Sequence, residues 1–223
     1  MKKLILAVTI AMFSFSSANA ELGVNIGISG QMGLFAASAT ERDTGTHGTT
    51  TDSTETNSES EYLGLGWASV FIEKSLGRAF IGVDYVPSAL ETETKEERRN
   101  DKTTSDTRTV VTNKIQVDFE DLTTIYLGVN LTDNLYAKAG MMTVDVLTNE
   151  TLGTGSTYGN TDLDGTMLGV GYNATNDSGL FLRVEGNYLE FDGASVKSAN
   201  GVNKITLDNL DGVSGKLSVG KSF

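Results

Sequence analysis

The segment VSGKLSVGKSF, residues 213–223, alternates between two kinds of side chain along its whole length. One parity carries Val213, Leu217, Val219 and Phe223, whereas the other carries only serine, lysine and glycine. Successive side chains of a β-strand point to opposite faces, so this pattern predicts a strand with one apolar face and one small or polar face. The segment ends on an aromatic residue, where a chain terminus is usually polar and frayed.

The other end of the chain predicts export. Residues 1–20 place two lysines ahead of an apolar run and finish in small residues, Ala18-Asn19-Ala20. This is the composition of a secretory signal peptide, with cleavage expected before Glu21. A membrane anchor is the alternative, but serines interrupt the run well short of the ~20 apolar residues that a spanning helix needs. We therefore predict a signal peptide over residues 1–20 and one mature domain over residues 21–223.

Charge and cysteine content exclude several classes of protein. The full chain has a formal net charge of −12, and loss of Lys2 and Lys3 with the signal peptide makes the mature chain more negative. Nucleic acid is therefore not an expected partner. The sequence contains no cysteine, so an exported protein of this kind depends on backbone pairing and apolar burial rather than on disulfides.

Alternation recurs along the mature chain, and no segment shows a helical apolar stripe of useful length. The polar residues between the alternating segments carry turn and loop signals. The pattern predicts eight strands, near residues 22–38, 62–74, 79–89, 109–131, 135–147, 163–174, 180–192 and 206–223.

The connections between these strands alternate strictly in length. Short turns at residues 75–78, 132–134 and 175–179 carry glycine, asparagine or aspartate, as hairpin turns do. In a meander, alternate connections emerge at the same end, so tight turns at one end face large loops at the other, as is typical of outer-membrane barrels. The long polar connections are residues 41–61, 91–108, 148–162 and 193–204.

The polar parity of the strands carries charges near the strand centres. In a soluble β-sandwich, which is the alternative fold, these charges would form a solvated surface; in a barrel they would face the lumen and pair across it. The residues predicted to face the lumen are Tyr126, Lys138, Arg183, Glu185, Asn187 and Lys216, and Asp84 falls on the same polar parity.

Aromatic and apolar residues are predicted to face lipid. In the second strand we assign the larger set, Leu63, Leu65, Trp67 and Phe71, to the lipid side. Interfacial aromatic girdles, with ordinary strand aromatics as the alternative interpretation, are predicted from Tyr62, Trp67, Phe80, Tyr85, Tyr172, Tyr188 and Phe191.

Together these features resemble the small outer-membrane barrel proteins of the OmpX, OmpA-barrel and Opa type. In that superfamily a final Phe with hydrophobic residues at alternate preceding positions is read by the barrel-assembly machinery; Phe223 matches, while Lys221 and Gly215 depart from the pattern. The resemblance implies an all-β fold, an eight-stranded antiparallel up-and-down transmembrane β-barrel. It also implies a monomer in the outer membrane, with the lipid bilayer and the assembly machinery as partners.

Such a barrel has physical limits. Lipid offers backbone amides no partner, so the sheet must close, and eight strands leave an interior that side chains fill. Two segments, residues 21–39 and 108–131, exceed the length needed to cross the membrane and are predicted to project beyond it. A break at Asp121 marks a headgroup boundary or a bulge, and one parity is expected to continue across it through Ile115, Val117, Phe119, Ile125 and Leu127.

Catalytic, metal and cofactor sites are not predicted. His47, the only histidine, lies in a polar loop beside Asp43 and Asp52, and such a loop does not hold a general base in place. Residues 162–165 lack the remaining oxygen ligands of a calcium loop. We predict a structural or surface-interaction barrel that acts through its loops, with an unknown extracellular ligand as a candidate partner. The alternatives are a narrow channel for small solutes and, more remotely, a loop-borne lipid-modifying enzyme.

Overall fold

The structure, a computed structural model, describes residues 23–43, 55–102, 108–153, 157–199 and 203–223. Within these residues no helix is long and apolar enough to cross a membrane. The strands are β1 (Val24–Asp43), β2 (Glu55–Leu76), β3 (Ala79–Tyr85), β4 (Leu90–Glu91), β5 (Lys95–Lys102), β6 (Arg108–Asn130), β7 (Leu135–Leu152), β8 (Thr161–Thr175), β9 (Leu180–Phe191), β10 (Ala194–Lys197) and β11 (Asn203–Ser222).

Eight of these strands form a closed antiparallel ring. The order is β1-β2-β3-β6-β7-β8-β9-β11, and β11 pairs back with β1. The ring closes through Val24 and Phe223, which exchange backbone hydrogen bonds at N···O distances of 3.2 and 2.9 Å. The predicted eight-stranded up-and-down barrel is therefore confirmed. The short strands β4, β5 and β10 lie outside the ring and pair with β6 or β11.

The three predicted short turns lie at one end of the ring, which we call the turn end. Gly77 and Gly179 adopt φ values of 73° and 79°, a left-handed conformation that favours glycine. The side chain of Asn176 fixes the last turn, because its Oδ1 accepts from the backbone N–H of Ser178 at 3.1 Å and of Leu180 at 3.0 Å. Thr132 holds the middle turn in the same way, accepting from the Leu135 N–H at 2.9 Å.

At the opposite, loop end, two sheets project past the ring. One consists of β5 paired with β6 and β6 paired with β7 out to Leu152. The other runs from β2 through β1 and β11 to β10. Parts of the predicted loops 41–61, 91–108, 148–162 and 193–204 are therefore strand, because their polar residues continue ladders that begin in the barrel wall. This corrects their assignment as loops.

A bulge at Asp121 separates the ring from the first projecting sheet. Asp121 has φ 53°, and the β6–β7 register shifts between Glu120 and Thr123. The predicted break is thus a bulge, but the predicted continuity of parity across it is wrong. Ile125 is exposed on the outside, whereas Phe119 packs against the interior cluster, since the extra residue moves the following side chains to the opposite face.

The outside of the ring is apolar. Alternate residues of the eight strands expose large aliphatic side chains, as on the lipid face of a barrel. Met32 and Leu34 are 76% and 68% exposed. The others that share this face include Ile72, Ile81, Val83, Ile125, Leu127, Met141, Leu168, Val170, Leu182, Val184, Val213, Leu217 and Val219.

The ladder between β2 and β3 is short. It runs only from the Val70–Tyr85 pair to the Leu76–Ala79 pair, whereas β2 pairs with β1 as far as Glu55. Beyond Tyr85 the chain passes through Pro87, which has no N–H to donate, and then follows β6. Within the described residues, the loop-end part of β2 therefore has a ladder partner on one side only.

Candidate functional site

The interior of the ring is divided into two layers along the barrel axis. The layer toward the turn end contains three acidic and three basic side chains, all buried: Glu73, Asp84, Glu185, Lys138, Arg183 and Lys216. We call these six residues the ionic layer. They come from β2, β3, β7, β9 and β11, because each strand turns alternate residues inward and these positions fall on that parity.

Arg183 and Glu73 form the first ion pair, with Arg183 Nη1 2.6 Å from Glu73 Oε1. The same carboxylate accepts from the Tyr126 hydroxyl at 2.9 Å and from the Asn25 amide at 3.1 Å. Arg183 Nε also donates to Asn173 Oδ1 at 3.1 Å. A buried charge is tolerated only when it is paired and hydrogen-bonded in this way.

Aromatic rings surround the Arg183 guanidinium. Its carbon lies 4.5 Å from the ring centre of Phe181, 5.5 Å from that of Tyr136 and 5.6 Å from that of Phe71. These distances are within the range of cation–π attraction. The rings and the ion pair thus lie together inside the ring near the turn end.

Two further ion pairs complete the ionic layer. Lys138 Nζ lies 2.8 Å from Glu185 Oε2, and the Tyr136 hydroxyl donates to the same carboxylate. Lys216 pairs with Asp84 across the barrel. Acids and bases are equal in number, so the layer is electrically balanced and every charge has a partner.

The layer toward the loop end is apolar. Rings of Phe35 and Trp67 pack 6.1 Å apart, and aliphatic and methionine side chains fill the space around them. We call this the apolar layer, and its buried members are Phe35, Trp67, Val86, Leu90, Leu122, Met142, Val144, Leu163, Met167, Leu189, Phe191 and Leu210.

A small cavity lies where the two layers meet. Lys138, Lys216, Asn187 and Thr124 line it on the polar side, and Met167 and Leu189 are among the residues that line it on the apolar side. Asn187 is buried, and neither of its side-chain polar atoms has a hydrogen-bond partner.

The six predicted lumen residues all face inward, which confirms the prediction: Tyr126, Lys138, Arg183, Glu185, Asn187 and Lys216 are each buried in the ring. Asp84, which shares the polar parity, is buried there as well. Glu73, which completes the balance of charge, was not predicted to face the lumen. It occupies the inward parity of β2, but the signal there was hidden by the wrong assignment of that strand.

The orientation predicted for β2 is reversed. Trp67 and Phe71 are 8% and 5% exposed and face the lumen, as do Leu63 and Leu65, which pack against the apolar layer. The lipid side of β2 near them carries the small residues Gly64, Gly66 and Ala68, which are exposed. The size of the side chains alone therefore gives the wrong orientation for β2, because the loop-end lumen requires bulky side chains to fill it.

The predicted aromatic girdles are correct only in part. Tyr62, Tyr172 and Tyr188 are exposed on the outside. Trp67, Phe80 and Phe191 are instead buried in the lumen, which corrects their assignment to the girdles. Tyr85, the last residue of β3, is half-buried, and its hydroxyl donates a hydrogen bond to the carboxylate of Asp121.

Metal-ligating side chains do not cluster among the described residues. No group of three or more His, Cys, Asp or Glu side chains there is placed to hold a metal ion. His47 lies outside the described residues, as does the predicted signal peptide, so both remain predictions.

No protein-family model matches the sequence, and no curated protein is significantly similar to it. Solved structures do match. OprG, an outer membrane protein from Pseudomonas aeruginosa, is 15% identical over 91% of this chain and 97% of that one, with a TM-score of 0.48.

Two further matches have lower identity. The protease OmpT from Escherichia coli is 8% identical, with 95% and 100% of the two chains covered and a TM-score of 0.45. Ail, the attachment invasion locus protein of Yersinia pestis, is 9% identical, with 88% and 99% covered and a TM-score of 0.39. At these identities and TM-scores, the activities of the matched proteins imply no activity for the present chain. The closed ring of eight antiparallel strands, with an apolar outside and buried ion pairs inside, gives this chain the fold of a small outer-membrane β-barrel.

Proposed function

We propose that this protein is a structural and surface-interaction barrel of the outer membrane, which presents its two projecting sheets to the outside of the cell. The observation that carries the proposal is the length of the loop-end ladders. β1 and β2 pair without interruption out to Asp43 and Glu55, and β6 and β7 pair out to Leu152. A barrel needed only to cross the bilayer uses roughly 9 to 11 residues per strand.

The filled lumen supports a structural role over a transport role. The ionic layer closes the turn-end half and the apolar layer fills the loop-end half. An ion crossing this lumen would have to break a buried pair, which is costly. We expect no steady single-channel conductance in planar bilayers; a stable conductance in the wild-type protein would favour the narrow channel instead.

A truncation tests the surface role. Replacing residues 39–59 with a two-residue turn removes the projecting part of the β1–β2 hairpin and keeps the ladder up to the Ser38–Ser60 pair. We expect this variant to remain folded, so that its unboiled and boiled samples still differ in electrophoretic mobility. We also expect it to lose binding of cells to host matrix or to one another.

Matched controls make the result interpretable. Replacing residues 96–114 with a two-residue turn removes the β5–β6 part of the other projecting sheet and keeps the Lys95–Ile115 pair. The β1–β2 projection stays in place, so this variant reports which sheet carries the contact. Unchanged adhesion in both truncated barrels would contradict the proposal.

We propose no catalytic role for the chain. A general base needs a held orientation and a partner, and the sequence offers a single histidine, His47, within a Thr- and Ser-rich segment. Loss of an envelope-lipid modification in cells that carry His47→Ala would contradict this view.

The remaining partners are proposals that rest on the resemblance. The barrel-assembly machinery would insert the chain, and the inserted protein would be a monomer. Cross-linking in native membranes, followed by denaturing electrophoresis, would show a single band at the monomer position.

A further inference from the structure

We propose that the cavity between the ionic and apolar layers is a binding site for one or two water molecules, held by the side chain of Asn187. This site is separate from the projecting sheets to which the surface role is assigned. It concerns how the lumen is sealed rather than what the loops contact.

Asn187 is the first observation. Its side chain is only 5% exposed, and both Oδ1 and Nδ2 are buried without a protein partner. An amide offers two donors and accepts at two lone pairs, and leaving such a group unsatisfied in the interior is unfavourable. Buried polar groups are therefore bonded to protein or to ordered water in nearly all native structures.

Three polar side chains around Asn187 already have partners. Ser214, its ladder partner on β11, accepts a hydrogen bond from Gln31 Nε2 at 2.7 Å. Lys138 and Lys216 are each paired with one carboxylate. An ammonium group has three N–H donors, so both lysines keep donors available on the cavity that Asn187 lines.

The cavity has the size and chemistry for water. Its volume is about 20 Å³, and roughly 10–15 Å³ by this measure admits one water molecule. A cation would be opposed by the ammonium groups of Lys138 and Lys216, which outnumber the one lining carboxylate, Asp84. An apolar solute would leave the amide unsatisfied. A water molecule both donates and accepts, so it can bridge the Asn187 amide to the lysine donors.

Gly169 fixes the place of the amide. It pairs with Asn187 across the β8–β9 ladder, and a Cβ added there would lie 2.3 Å from Asn187 Oδ1 and 3.1 Å from Lys138 Cε. Only a residue without a side chain leaves the amide in this position, directed at the cavity beside the Lys138 stem.

Crystallography of the refolded full-length barrel is the direct test. We expect density for one or two water molecules at hydrogen-bonding distance from Asn187 Oδ1 or Nδ2, about 2.7–3.2 Å. An anomalous peak at this place in a crystal soaked in bromide would overturn the proposal in favour of an anion site. A dry cavity, with the amide turned to bond a protein side chain, would overturn it as well.

Asn187→Leu gives a second readout, measured by urea unfolding in detergent. If water bonds the amide, the substitution removes the hydrogen-bond partner of that water and raises the equilibrium constant for unfolding about tenfold. If the cavity is dry, the same substitution removes an unsatisfied group and leaves the constant unchanged or lower, which contradicts the proposal. Gly186→Ala is the matched control, because it is adjacent in β9 but points outward with no atom within 4 Å.

Discussion

Val24 and Phe223 exchange backbone hydrogen bonds in both directions, with N···O distances of 3.2 and 2.9 Å, and this pair lies at the point where the ring closes. The Lys221 ammonium lies 5.1 Å from the centre of the Phe223 ring. Phe223 thus has a backbone role that is distinct from the role that the resemblance gives to its side chain.

Two variants separate these roles. Deleting Phe223 removes both backbone bonds and should destabilise the refolded barrel by roughly 1–3 kcal/mol, whereas Phe223→Ala keeps the bonds and should cost less. Urea unfolding in detergent measures the difference. For assembly in cells the side chain of Phe223 should matter more than its backbone bonds. Phe223→Ala alone should therefore already lower the amount of barrel in the outer membrane. Equal stability of the deletion and the Ala variant would contradict the backbone role.

Breaking the Glu73–Arg183 pair should be strongly destabilising. Arg183→Leu leaves Glu73 buried without its cation, which costs on the order of 3–5 kcal/mol. The double variant with Glu73→Leu should recover much of that loss, because no charge is then left unpaired. Equilibrium unfolding of the four proteins of this cycle gives the coupling free energy.

The surface pair Glu61–Lys95 is the control for this cycle. Both side chains are about half exposed, so Lys95→Ala should change stability by about 0–1 kcal/mol. A cost at Arg183 no larger than the cost at Lys95 would mean that the lumen is hydrated enough to screen the buried pair.

The one-sided part of β2 should exchange its amide hydrogens faster than the rest of that strand. Residues 63–69 lack a ladder on the β3 side, whereas residues 70–74 are in a ladder on both sides. Strands with fewer hydrogen-bonded neighbours open at lower free energy. Hydrogen exchange of the barrel in lipid nanodiscs should therefore show lower protection in residues 63–69; equal protection would indicate that another group pairs with this edge.

Glu150, on the projecting part of β7, should make the loop-end structure sensitive to pH. Burial raises the pKa of this carboxyl, although the hydrogen bond from the Tyr158 N–H opposes the rise. A raised pKa in the folded state means that the contribution of Glu150 to stability is greatest below the unfolded pKa of about 4.3. That contribution is lost as pH rises through the folded pKa.

Glu150→Gln stays neutral and should remove this loss. Its stability relative to the wild type should therefore increase as pH rises from about 4 toward 7, when thermal unfolding is followed across that range. Glu59→Gln, on the exposed part of β2, serves as the control substitution. If the difference in thermal stability between Glu150→Gln and the wild type does not change with pH, the raised pKa of Glu150 is contradicted.

The sequence predicts the barrel well because its strongest signals are local. Short turns and period-two alternation follow from backbone geometry, so strands such as β9 appear directly, with Arg183 and Glu185 on the inward parity. The direction of β2 could not be obtained in this way. Its two faces carry apolar and small residues, and the choice depends on the neighbouring strands, which place Trp67 against Phe35 in the lumen.

The same limit applies to the projecting sheets and to the bulge. Polar residues such as Lys95 and Glu96 show no apolar alternation, so the sequence suggests a loop; pairing with β6 makes them strand. A single extra residue at Asp121 reverses the facing of the residues beyond it. Neither effect is visible without the partner strand.

Electrical balance inside the ring has a consequence at long range. Because the six buried charges cancel, the net charge of −12 carried by the full chain must arise entirely outside the lumen. The field that an approaching molecule meets is therefore set by the rims, the projections and the loops, and it attracts counter-ions within a distance of about 10 Å at 0.1 M salt. Encounters with negatively charged surfaces should accordingly be slow in dilute salt and quicken as ionic strength rises.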